Sequence, residues 1–342
     1  MGAALLLYCG PVWRSIPLLA VAACSGAATP DAGSLKVVAS DDSSADWSCV
    51  APESCKADYL GFSTIAVDHA APISEAALEQ QLLNLDAGAV PLMASLTATE
   101  LTDRTLDGLA VRFLRDGVDG RELDVITTAR SDTATYHEED LLFRDPFVGT
   151  FKAILLTPKT TGPFPAILAL HGHGGDAANY RDQFGGTGYP EHGYAVLMIT
   201  SRAMGIDADE HEVSHALMRS GFTLMGLRTY EALLGLKYLR WRRDVVHDRI
   251  GLIGHSGGSS TGNLLVRFEP GFRAYVSDHQ VDWWNSGVGE PWHCETVPAL
   301  FPVNALINDF TTSATPVRKV VYGYPEGFVG IFAFFDHYLK AR

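Results

Sequence analysis

The sequence predicts an α/β fold with a mainly parallel sheet flanked by helices, and three observations lead there. Beyond about residue 121, short and almost wholly apolar runs recur: FPAILAL, YAVLMIT, RIGLIG, RAYVSD and RKVVYGY. Runs of this kind belong to strands covered on both faces, as in a parallel sheet. The gaps between them leave room for helices, most clearly at about 217–242, where Leu224, Leu227, Tyr230, Leu234, Tyr238 and Trp241 recur at three- and four-residue intervals. Two of the runs end in glycine-rich corners, HGHGG at 171–175 and GHSGG at 254–258, where neighbours without side chains let a strand and a helix approach. Ahead of the apolar runs stand three more strand-like stretches, ELDVITTA, EEDLLFRD and TFKAILLTP, the last two suggesting an antiparallel pair.

The elements before residue 121 read differently. Arg14 precedes IPLLAVAAC, an apolar stretch too short to span a bilayer, so residues 1–23 are expected to be a signal peptide. VAAC at Val21–Cys24 resembles the lipobox of bacterial lipoproteins, which implies lipidation of Cys24 and an exported protein anchored to a bacterial membrane through its lipid. An ordinary secretory signal shares the charged flank and apolar stretch and is the alternative. Residues 24–58 form a tether: from Ser25 to about Asp46 they are mostly Ala, Gly, Ser and Asp, too poor in apolar area to offset the entropy of ordering. Cys49 and Cys55 are expected to close a small disulfide loop within it, given an oxidising compartment. Residues 59–120 carry helical signals, ISEAALEQQLLNL and a Thr97-Ala-Thr-Glu100 capping box, and are expected to form a helical extension ahead of the main domain, 121–342.

Composition narrows the choice of partner. Among 342 residues, 40 acidic side chains outnumber 26 basic ones, a balance that repels a phosphate backbone, so no nucleic-acid partner is expected.

The chemistry concentrates at Gly254-His255-Ser256-Gly257-Gly258, which fits the G-x-S-x-G nucleophile elbow with a buried strand before it and a helix-compatible segment after it. Such a turn holds the serine in a strained conformation and lifts its hydroxyl clear of the sheet, while the next helix points its free N–H groups at a developing oxyanion. HGHGG, roughly 80 residues earlier, supplies the second donor-bearing loop.

LHGHGG, SRAMG at 201–205, GFTLMGLRTYEALLGLKYL, DRIGLIGHSGG and the terminal FAFFDHYL together resemble the α/β-hydrolases of the dienelactone hydrolase and acetyl-xylan-esterase-like branch. The resemblance covers about 121–342. It implies that Ser256 is the nucleophile, that the oxyanion hole uses the N–H of Gly257 and one from His173 or Gly174, and that the substrates are small-molecule carboxylic esters, often acyl groups on sugars. No cofactor is implied.

The chain departs from that pattern at its end. Family members carry the acid after the seventh strand and the base after the eighth, in a stretch resembling G-G-H. Here Gly327 is followed by Phe328 and the terminal helix, as though the usual last strand and its histidine were absent. The order serine, acid, histidine leaves His279, His293 and His337 as bases. His293, in the loop GEPWHCETVP, is the freest to approach Ser256, and Asp278 at the end of the sixth strand is the expected acid, with Glu326 the alternative. Without a base the same fold would serve as a non-catalytic binding lipoprotein.

One competing motif stands apart. His211-Glu-Val-Ser-His215 matches H-E-x-x-H, a zinc pattern in which Glu231 could be a third ligand. It lies in the acidic stretch GIDADEHEVSHALM rather than in a strongly periodic helix, so no metal site is expected and zinc peptidase chemistry ranks below ester hydrolysis.

Overall fold

The computed structural model describes residues 122–145, 148–205, 223–269, 271–278, 313–320 and 328–340, with Glu210, Val213, Ser214, Leu217 and Phe310 between them. Cys24, Cys49, Cys55 and the helical extension therefore lie outside the described residues, as do His279, His293 and Glu326.

All eight strand-like stretches are strands: β1 (Asp124–Asp132), β2 (Tyr136–Asp145), β3 (Gly149–Pro158), β4 (Phe164–Leu170), β5 (Ala195–Ile199), β6 (Val245–His255), β7 (Ala274–Asp278) and β8 (Val317–Val320). They form one sheet in the order β1-β2-β3-β5-β4-β6-β7-β8. From β5 to β8 every neighbour is parallel, and β1, β2 and β3 add an antiparallel margin. No strand follows β8 among the described residues.

Alternate side chains of the central strands feed two cores, as the period of two requires. On one face Leu168, Leu197 and Leu252 pack with α3 (Leu224–Trp241) and α4 (Gly257–Phe268). On the other, Ile167, Val196 and Ile253 meet α1 (Ala177–Gln183), α2 (Gly188–Glu191) and α5 (Phe328–Phe335). Asp176 caps α1, accepting the Asn179 N–H at 2.7 Å, and Thr223 caps α3 through the Gly226 N–H at 3.0 Å.

The long helix departs from the expected amphipathic stripe. Nearly every position from Leu224 to Leu239 is buried, Arg228 and Glu231 included. Its lower face packs on β4, β5 and β6 and a flank lies against α4, so the polar positions are enclosed as well and need internal partners.

Register is what builds the site. Leu170 at the end of β4 lies opposite Ile199 of β5 and Gly254 of β6, and His255 of β6 lies opposite Asp278 of β7. The carboxyl ends of four parallel strands thus finish along one edge, where open α/β sheets bind ligands.

A buried bond ties α3 to this sheet: the Tyr230 hydroxyl donates to Asp145 Oδ2 at 2.9 Å, while Asp145 Oδ1 accepts the Val148 N–H at 3.1 Å. Tyr230→Phe should lower unfolding free energy by about 1–3 kcal/mol, the cost of removing a donor from a buried carboxylate. Urea midpoints at constant m-value check this.

Candidate active site

Ser256 sits at φ 51°, ψ −116°, in the left-handed half of conformational space. A non-glycine residue there is strained and persists only where its surroundings fix it. They do so through the backbone: the Ser256 N–H donates to the Asp278 carbonyl at 2.9 Å, and the Ser256 carbonyl accepts the Ser259 N–H at 2.8 Å. Gly254 and Gly258 permit the turn. A Cβ on Gly258 would stand 2.2 Å from the Leu170 oxygen, and one on Gly254 would stand 2.3 Å from the Gly258 oxygen. The Ser259 hydroxyl adds bonds to the carbonyls of Gly254 and Asp278. Ser256 is half-buried at the mouth of this corner, and among the described residues its Oγ has no hydrogen-bond partner.

Gly257 is the first residue of α4, so its N–H has no partner within the helix. The HGHGG loop comes in alongside, with Gly172 packed so closely on Ser256 that an added Cβ would lie 2.8 Å from the serine Cβ. Gly174 departs from expectation. Its N–H donates to the Met204 carbonyl at 2.7 Å, so it is already committed within the protein and cannot serve an oxyanion in this conformation. The His173 ring packs on Gly257: a Cβ there would come within 2.6 Å of Cε1 and 2.7 Å of Nδ1. Its Nε2 lies 3.3 Å from Glu210 Oε1.

Asp278 does meet a histidine, the one inside the elbow: His255 Nδ1 lies 2.8 Å from Asp278 Oδ2. Both are buried, and the His255 ring leans on Phe184 at 4.5 Å between centroids. This pair pins the end of β6 to the end of β7. His293, which Asp278 was expected to orient, lies outside the described residues. His171 is structural: its Nδ1 donates to the Gly172 carbonyl at 2.8 Å and its Nε2 accepts the Ser201 N–H at 2.9 Å. Burial holds it neutral, with a pKa pushed down to about 4. His337 is exposed on the terminal π-helical turn, edge-on to Tyr338 at 4.7 Å.

No protein-family model matches the chain. The Bacillus subtilis (strain 168) protein named "Putative hydrolase YtaP" is 29% identical over 163 residues, 44% of this chain and 50% of that protein, so the match spans about half the length of this curated relative. Among solved structures, an acetyl xylan esterase from Paenibacillus sp. R4 superposes with a TM-score of 0.54 at 13% identity, over 71% of this chain and all of that one. Methylesterase BT1017 superposes with a TM-score of 0.50 at 16% identity, over 83% of this chain and 69% of the other. The fold is that of the α/β-hydrolases.

Under the elbow of this α/β-hydrolase fold lies a charged layer that sequence reasoning missed. Arg228, with no exposed side-chain surface, donates from Nε to the Arg202 carbonyl at 2.9 Å and from Nη2 to the Ala203 carbonyl at 3.0 Å and to Glu210 Oε1 at 2.7 Å. Burial alone would raise the Glu210 carboxyl, but the His173 hydrogen bond and the Arg228 charge outweigh it and hold it below its usual range. Beside them Arg202 pairs with Glu231, both buried. Burial pushes Glu231 up to about 7 against the pull of Arg202. This pairing takes Glu231 out of consideration as a zinc ligand, while His211 and His215 lie outside the described residues. Only the LHGHGG and SRAMG motifs hinted at this layer. Nothing in the sequence linked Glu210 or Arg228 to them.

Breaking one partner of a buried ion pair leaves an uncompensated charge. Glu231→Gln should therefore lower unfolding free energy by about 3–5 kcal/mol, read from urea denaturation at pH 8.

Proposed function

We propose that the protein hydrolyses small-molecule carboxylic esters, acylated carbohydrates among them, through an acyl-enzyme on Ser256. The observation that carries this reading is the Ser256 backbone at φ 51°, a strained conformation held at the edge where the parallel strands end and beside the first N–H of α4. Strain of that kind persists at functional sites because it positions a group for reaction. The Gly257 N–H and the amino end of α4 supply positive potential where negative charge develops on the carbonyl oxygen. The likeness in fold to an acetyl xylan esterase and to a methylesterase supports the substrate class. Chain order offers His293 as the proton acceptor from the segment after Asp278. The reading also includes export and a lipid anchor at Cys24, from VAAC alone.

Three experiments test the proposal. A fluorophosphonate probe should label Ser256, and Ser256→Ala should remove both labelling and turnover of aryl esters. Labelling that survives the substitution contradicts the proposal, and turnover no greater than that of the variant makes this a binding site on a hydrolase fold. In a bacterial host, Cys24 should take up labelled palmitate and Cys24→Ala should leave the membrane fraction, whereas equal retention speaks against the anchor. Chelators should leave hydrolysis unchanged, and a tightly bound zinc lost in His211→Ala would reverse the ranking against metal chemistry.

A further inference from the structure

A serine at the start of a helix has a usual occupation: its side-chain oxygen accepts an N–H from the second or third residue of that helix. Ser256 stands in this cap position ahead of α4 and makes no such bond. Capping of that kind goes with an extended backbone at the cap residue, whereas Ser256 is at φ 51°, ψ −116°. The work of the cap passes to other groups. The N–H of Ser259, the third residue of α4, donates to the Ser256 carbonyl at 2.8 Å rather than to its hydroxyl. The Ser259 side chain, fully buried, then reaches back past the cap and shares its hydroxyl proton between the carbonyl of Gly254, next to the last residue of β6, and that of Asp278, the last residue of β7, 2.7 Å away. The Asp278 carbonyl is also the acceptor of the Ser256 N–H. Carbonyls at a strand end that turns into a helix lose ladder partners, and buried ones need donors. The Tyr275 hydroxyl, donating to the Ser259 carbonyl at 3.0 Å, ties the same residue to β7 a second time. The main-chain bonds of the turn are open to any sequence, but the Ser259 hydroxyl is not.

We infer that Ser259 is the positioning residue of Ser256: its hydroxyl fastens two strand ends to α4, so that the turn stays at positive φ and the Ser256 hydroxyl is kept from capping its own helix. The inference rests on the reading of Ser256 as nucleophile. The arrangement is a capping box with its roles exchanged. In the ordinary box the cap side chain serves the N–H of the third residue, while the third side chain reaches back to the N–H of the cap. Here the Ser256 carbonyl serves the Ser259 N–H, the Asp278 carbonyl serves the Ser256 N–H, and the Ser259 side chain holds the strands. These groups are met without Ser256 Oγ, whose lone pairs stay available to a substrate carbon. Removing the Ser259 hydroxyl releases α4 from the strand ends, and the strained cap relaxes toward the extended backbone in which Oγ accepts a helix N–H.

The test follows the labelling of Ser256 by a fluorophosphonate in the full chain, as a function of probe concentration, for the unaltered protein, Ser259→Ala, Ser259→Cys and Tyr230→Phe. In Ser259→Ala the limiting rate at saturating probe should fall about a hundredfold, the cost of misplacing a reacting atom by roughly 1 Å, while the concentration that gives half of that rate stays the same. Ser259→Cys, close in volume but only a weak donor, should fall between. Tyr230→Phe also removes a buried hydrogen bond, at Asp145, and should lower the thermal midpoint while leaving the limiting rate unaltered. The inference is overturned by an unaltered limiting rate in Ser259→Ala or, where that variant does not fold, in Ser259→Cys. It is equally overturned if Tyr230→Phe slows labelling as much as Ser259→Ala at equal loss of thermal midpoint, which makes the effect one of general stability. Failure of the unaltered protein to label is distinct, since it removes the nucleophile itself and the inference with it.

Discussion

The site depends on one backbone contact: α4 begins so close to the end of β4 that the Gly258 Cα stands where no side chain fits against the Leu170 carbonyl. That approach forces Ser256 through the turn at positive φ, and the Ser256 N–H bond to the Asp278 carbonyl locks it there. Strain of this size costs on the order of 1–3 kcal/mol and survives because the surrounding sheet over-determines it. Three parallel strands, β4, β6 and β7, converge on the same few atoms. Their common register brings the glycine loop, the serine and Asp278 to one edge.

Electrostatics reinforce the corner from beneath. Burying Arg228 and Arg202 against the sheet would be prohibitive without Glu210, Glu231 and the carbonyls of the 202–203 turn to meet them. The layer couples α3, the loop after β5 and the His173 loop, so a ring at the site is held by charges one helix away. Glu210 is the link, bound to Arg228 on one side and His173 on the other.

The fold was legible because buried parallel strands announce themselves as apolar runs bounded by turn residues, and every such run, from FPAILAL to RKVVYGY, overlaps a strand. GHSGG was legible for a related reason: two close approaches of backbone leave only glycine on either side of the serine. The long helix was found, but its periodicity suggested one wet face, and the burial of Arg228 and Glu231 could not be read from it. Asp278 stands out by its place at a strand end, but its partner among the described residues, His255, occupies a position of G-x-S-x-G that the motif leaves open, so the pairing has no signal in the sequence. The contact of the His173 ring with Glu210 joins residues 37 positions apart, and Glu210 stands in a run of acids that no local pattern tells apart. Pairings of this kind are set by how loops cross a strand edge, which local pattern does not encode.

Most direct is a burst experiment with an acetyl ester of a chromogenic phenol, followed by acid quench and peptide mass analysis. The account predicts release of about one phenol per chain ahead of the steady state, with the acetyl group on the peptide at Ser256, as an acyl-enzyme requires. Hydrolysis without a burst would be met by a quench at lower pH, where deacylation slows. Acetyl found on another residue, or on none while phenol is still released, would contradict it.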